Sequence, residues 1–345
     1  MMKNNDDELI KKTTILCSAF SIVAIGIMTL FFLFRDIPAN ATTLVNTDDS
    51  IILEDGMSKQ TEYLCIPLPK TITIEELEIS DLLMENRTSI VIKGVEEDFF
   101  YKNPLSGSSS HIVNLKYGYE NGMARLDLLL DGLYETQPVF EDNKLYIEFL
   151  PPKELHDSIV VVDPGHGGMQ TGTVAFGQTE KDITLKIANL LKEKMKGSNI
   201  NLYLTRTTNE EQPSIEERIG FANTLKADMF ISIHCNADAK TRITNGVQTC
   251  YSNEVLIPEF NAENLARNLQ DSLVKNTCAK DRGVNIENKL EILTKTKVPA
   301  VLINVGYLTN KQEALKLSEE EYIEKIAEGI YEGIINAYEE MDKSR

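Results

Sequence analysis

Apolar positions follow three different rhythms along this chain. Residues 13–34 carry no charged side chain over 22 positions, long enough for a helix that spans a bilayer. Lys3, Lys11 and Lys12 precede the stretch and only Arg35 follows closely. The positive-inside rule therefore places residues 1–12 in the cytoplasm and everything from residue 36 outside, giving a single-pass protein of the cell membrane. Residues 39–41 read Ala-Asn-Ala, like a signal-peptidase site, so secretion after cleavage near Ala41 is the alternative. Residues 35–56 have no sustained period and read as a stalk.

From residue 57 to 152 the rhythm shortens. Runs rich in β-branched and aromatic residues recur at 63–66, 71–74, 89–92, 112–117, 124–130 and 144–149, with Asn, Gly, Ser and Pro between them. This spacing predicts a small all-β, sandwich-like domain, closed by Pro151 and Pro152.

Residues 158–340 alternate strand and helix patterns. The apolar run 159–162 suits a strand covered on both faces. Ile183, Ile187, Leu190, Leu191 and Met195 are spaced for a helix, and 202–204 is a short strand. Ser214 with Glu217 forms a capping box for a helix bearing Ile219, Ala222 and Leu225. Further strands are expected at 229–233, 246–251, 290–293 and 300–305. Helices are expected around Leu265, Leu269 and Leu273, and after Ser318 with Glu321. The fold class is α/β, a mostly parallel sheet flanked by helices, behind the β-rich domain and the transmembrane helix.

Charge narrows the function classes. The chain has 345 residues and a net charge of −18, which argues against a nucleic-acid partner, since such binders need a basic face. Residues 1–157 hold 13 basic and 26 acidic side chains, net −13; residues 158–345 hold 22 and 27, net −5. Five cysteines without a CxxC pair give no zinc knuckle or redox motif.

In such sheets ligands sit beyond the carboxyl ends of the strands, and unusual polar residues cluster there. Asp163-Pro164-Gly165-His166-Gly167-Gly168 follows the first strand, His234 ends another, and Glu180 opens the first helix. Two imidazoles and a carboxylate are a common zinc set in hydrolytic sites, leaving a fourth position for water. The alternative is two structurally satisfied histidines. A cysteine hydrolase using Cys235 beside His234 is the weaker idea, because adjacent strand residues point to opposite faces.

VVVDPGHGG (160–168), TEKDITL (179–185), LTR (204–206), ISIHCNAD (231–238) and PAVLINVGYLTN (299–310) resemble, in order, the zinc-dependent N-acetylmuramoyl-L-alanine amidases of the amidase-3 type. The resemblance covers about residues 158–340. It implies zinc ligation by His166, Glu180 and His234, peptidoglycan as the partner, and hydrolysis of the amide between N-acetylmuramic acid and the L-alanine of the stem peptide. The β-rich domain is loosely similar to wall-targeting domains. No regulatory partner can be named.

One position departs from the family pattern. Where the family carries a catalytic Glu on its last strand, this chain has Asn304. An amide donates and accepts hydrogen bonds but takes no proton at neutral pH. Three readings follow: an active amidase in which another carboxylate or a water chain substitutes, a slow amidase, or a catalytically impaired zinc-containing peptidoglycan-binding or regulatory protein. Glu291, on the strand expected at 290–293, is the speculative substitute; a solvated glutamate is the plainer alternative.

Overall fold

The structure is a computed structural model that describes residues 63–107, 109–255 and 260–344. The segments read as cytoplasmic tail, membrane helix and stalk lie outside these residues. No helix among the described residues is long and apolar enough to cross a membrane. The chain divides into two units. One holds residues 63–82, Arg87–Asp131 and Thr136–Phe149; the other holds Leu83–Asn86, Gly132–Glu135 and residues 150–344.

The first unit is built on alternation. Its strands are β1 (Leu64–Pro67), β2 (Leu77–Leu82), β3 (Arg87–Lys93), β4 (Ser106–Gly107), β5 (Ile112–Glu120), β6 (Met123–Leu130), β7 (Glu135–Glu141) and β8 (Lys144–Leu150). They form two four-stranded sheets, ordered β4-β1-β8-β7 and β2-β3-β6-β5. Ile66, Ile90, Ile92, Leu128 and Ile147 are fully buried, which alternating strands achieve by sending every second side chain inward. The strand expected at 71–74 does not form. Instead a 3-10 turn runs over Ile74–Glu76, and the Thr73 backbone N–H donates to Glu76 Oε2 at 2.7 Å. A capped turn satisfies the backbone there without a sheet partner. The edge strands β2 and β7 lack a clean apolar run, which hid them in the sequence; Pro138 in β7 suits an edge position.

The second unit carries β9 (Ser158–Pro164), the short hairpin β10 (Val174–Ala175) and β11 (Gln178–Thr179), β12 (Ile200–Leu204), β13 (Met229–Asn236), β14 (Val247–Tyr251), β15 (Asp281–Ile286) and β16 (Ala300–Tyr307). Six of these form one sheet ordered β12-β9-β13-β16-β14-β15. β12, β9, β13 and β16 pair in parallel, β14 runs antiparallel to β16, and β15 is parallel to β14. The sheet is therefore mixed, with a parallel block running from the β12 edge to β16.

After a helical turn at Pro152–Leu155, its helices are α1 (Glu180–Met195), α2 (Ile215–Leu225), α3 (Ala262–Thr277), α4 (Glu291–Thr294), α5 (Lys311–Lys316) and α6 (Glu320–Ser344). One face of the sheet packs Val160, Ile231 and Ile303 with α1, α3 and α6. The other packs Ile159, Phe230 and Leu302 with α2 and α4. The central strands are apolar on both faces because both are covered.

Two sequence expectations are corrected here. The strand expected at 290–293 does not form; Glu291–Thr294 is a helical turn, α4. A four-residue apolar run does not distinguish the two, and the turn buries Ile292 and Leu293 together. Ser318 does not cap the last helix: its hydroxyl donates to the Leu315 carbonyl at 2.5 Å, and α6 begins at Glu320. Ser214 does cap α2, with the reciprocal Glu217 bond in place.

Candidate metal centre

Three strand and helix ends converge on one point. His166 follows β9, His234 lies near the end of β13, and Glu180 is the first residue of α1. Their ligand atoms all lie within 4.8 Å of one another. Glu180 Oε1 stands 3.1 Å from His166 Nε2 and 2.9 Å from His234 Nδ1. The imidazole rings meet edge to face with centroids 4.9 Å apart.

The carboxylate is fixed from behind. Glu180 Oε2 accepts the Thr173 backbone N–H at 2.8 Å, and Oε1 accepts that of Cys235 at 2.9 Å. Burial alone would raise the Glu180 carboxyl, but bonds from His166, His234 and Thr173 outweigh it and hold the group well below the usual carboxylate range. It is thus ionised, as a metal ligand must be.

His166 has φ +64°, the left-handed region that non-glycine residues seldom adopt. The surrounding loop is pinned to keep it there. Asp163, at the end of β9, is buried and accepts from Ser232 Oγ at 2.6 Å, Thr205 Oγ1 at 2.5 Å and Arg218 Nη1. Arg218 also donates to the Pro164, His166 and Pro213 carbonyls. Arg206, almost wholly buried, donates to the Pro164, Gly165 and Lys181 carbonyls. Two glycines leave room for the ligands: a Cβ at Gly165 would collide with the His234 ring, and one at Gly172, where φ is +66°, with His166 and Glu180.

Sequence reasoning missed the Asp163–Arg218 pair. The available signal was a charge at the end of an otherwise apolar strand, and an arginine beside the apolar stripe of α2. Cys235 is buried, and burial pushes its thiol well up, so it offers no thiolate. All four described cysteines are free.

Asn304 lies beside the ligands, in register with His234 on the neighbouring parallel strand and opposite Gln248 on β14. Its side chain is half-buried. Glu291 is elsewhere. It is the first residue of α4, exposed, and paired with Lys295 at 2.8 Å. Its neighbours Leu290 and Ile292 line the cleft at the ligands, and the helical turn directs Glu291 out between them. It is therefore not brought to the ligands.

Comparison with known proteins agrees with this geometry. The N-acetylmuramoyl-L-alanine amidase (amidase-3) family matches residues 160–336, just over half the chain. An uncharacterised Bacillus subtilis protein, YqiI, is 34% identical over 181 residues, covering 52% of this chain and 85% of the relative. The Bacillus subtilis N-acetylmuramoyl-L-alanine amidase LytC is 32% identical over 179 residues, 52% of this chain but only 35% of that protein. The crystal structure of an N-acetylmuramoyl-L-alanine amidase from Clostridium difficile 630 matches with a TM-score of 0.50 at 34% identity, over 53% of this chain and 97% of the other. With a shared fold, shared sequence and the three side chains at the strand ends, the chain belongs to the amidase-3 family of N-acetylmuramoyl-L-alanine amidases.

Proposed function

We propose that the chain hydrolyses the amide between N-acetylmuramic acid and the L-alanine of the peptidoglycan stem, with His166, Glu180 and His234 holding zinc. The observation that carries this reading is the convergence of those three donors at the C-terminal end of the parallel strands in an amidase-3 fold. The donors suit the ion: two imidazoles, one ionised carboxylate, and backbone N–H bonds that orient the carboxylate. Zinc bound there supplies a Lewis acid that polarises the amide carbonyl and lowers the pKa of water.

The remaining work falls to this chain's own side chains. The Arg206 and Arg218 bonds hold the His166 loop rigid, so the ligand set is preorganised. The apolar side chains Ile215, Leu290, Ile292 and Leu302 line the cleft and exclude water from around the scissile bond. Asn304, beside His234, offers an N–H donor and a carbonyl acceptor but no proton acceptor of carboxylate strength. That favours a second reading, an amidase slowed at its proton-transfer step.

Metal content tests the ligand assignment. Purified protein should carry about one zinc per chain by elemental analysis, and His166→Ala or His234→Ala should lose most of it. Equal zinc in wild type and both variants would remove the assignment.

A further inference from the structure

The cleft in front of the three candidate ligands has a volume of about 450 Å³, and besides His166 and His234 the acidic and basic side chains on its wall are Asp163, Glu216 and Arg218. Two of them present no net charge to a ligand. Asp163 and Arg218 pair with each other and are buried, at 2% and 6% side-chain exposure. The Arg218 guanidinium nitrogens go to Asp163 and to the Pro164, His166 and Pro213 carbonyls.

Glu216 is different. It is the exposed second residue of α2, and no hydrogen bond or ion pair engages its carboxylate among the described residues. Its neighbour Glu217, not Glu216, closes the capping box with Ser214, so the helix start does not depend on it. The ammonium of Lys295, which lies within Glu216's field, is bonded to Glu291 at 2.8 Å. The uncharged side chains on this wall are both apolar, Ile215, Leu290, Ile292 and Leu302, and polar, Gln170, Ser214 and Ser232.

We propose that Glu216 is a specificity-determining residue, receiving the free ammonium of the stem peptide's diamino acid. The inference rests on the amidase reading. The diamino acid stands two residues beyond the scissile amide, and Glu216 lines the same cleft as the candidate ligands His166 and His234. An exposed carboxylate attracts a cation modestly and gives a neutral amide no such gain. The diamino acid's amine is acylated only in the stem that accepts a crosslink; in an uncrosslinked stem, and in the stem that donates its carbonyl, it is free. The chain thus favours stems whose diamino acid amine is free.

The test uses the full chain with zinc and two peptides that carry no scissile amide: L-alanyl-γ-D-glutamyl-L-lysine and its Nε-acetyl form. Calorimetry should give a preference of roughly two- to fivefold for the free amine, the scale of an exposed ion pair, and the preference should shrink as salt is raised. Glu216→Gln should bring the two affinities together, and Glu216→Asp should keep part of the difference, with the melting temperature unchanged in both. A merely structural role would move both affinities alike and leave their ratio intact. Equal affinities in wild type, an unchanged ratio in Glu216→Gln, or no binding of either peptide would overturn the proposal. Hydrolysis of the matching muramoyl peptides, run in parallel, tests the amidase reading separately: discrimination without cleavage would sink that reading and leave Glu216's role standing.

Discussion

On the proposed amidase reading, rate turns on Asn304. It occupies the strand position in register with His234, so a carboxylate there would face the ligand cluster. Asn304→Glu should raise turnover by about 10²-fold, the usual scale of general acid–base assistance, with zinc content unchanged. Steady-state kinetics on a muramoyl peptide checks it; an unchanged rate would mean that proton transfer is already served elsewhere. Glu291 is not the place to look, since it is exposed and held by Lys295. The convergence of the candidate ligands was legible in the sequence because glycines, imidazoles and a helix-opening glutamate fell at element ends. Glu216 was not, because a single acid in a helix's first turn looks like any dipole-stabilising residue.

At the scale of elements, one buried ion pair joins β9 to α2. Burial opposes ionisation of Asp163, but the Arg218 guanidinium and the Ser232 and Thr205 hydroxyls win and lower its carboxyl below the ordinary value of 3.8. A lowered folded value means that this contribution is full above the unfolded value near 3.8 and is lost as pH falls through the folded value beneath it. Asp163→Asn leaves the Arg218 charge buried without its partner, a change that costs about 3–5 kcal/mol. Denaturant unfolding should show that loss at pH 7 and a flatter acid limb than wild type below pH 4; wild-type stability at neutral pH would contradict the pairing's importance. Periodicity found the long helices and the parallel strands here because each buries a continuous stripe. It failed at 290–293, where four residues suit a helical turn as well as a strand, and at Asp281–Ile286, a half-exposed edge strand with no apolar alternation. It also misread Ser318, whose hydroxyl turns back to Leu315.

For the whole molecule, the amidase-3 unit is the part whose chemistry can be argued from side chains, and the β-rich unit contributes no clustered donors to it among the described residues. The sequence divided these two by rhythm alone, because a period of two and a period near 3.6 demand different architectures. What it could not supply was the mixed sheet, since strand direction at β14 depends on tertiary pairing and not on local pattern. The central claim is that this chain is an amidase acting through the His166–Glu180–His234 site. The most direct measurement is the release of free N-terminal L-alanine from purified peptidoglycan by zinc-loaded wild type and by His234→Ala. The account predicts time-dependent release by wild type that falls to background in the variant and in chelator-treated protein. Intact peptidoglycan after prolonged incubation with excess zinc-loaded wild type, or equal release by His234→Ala, would contradict it.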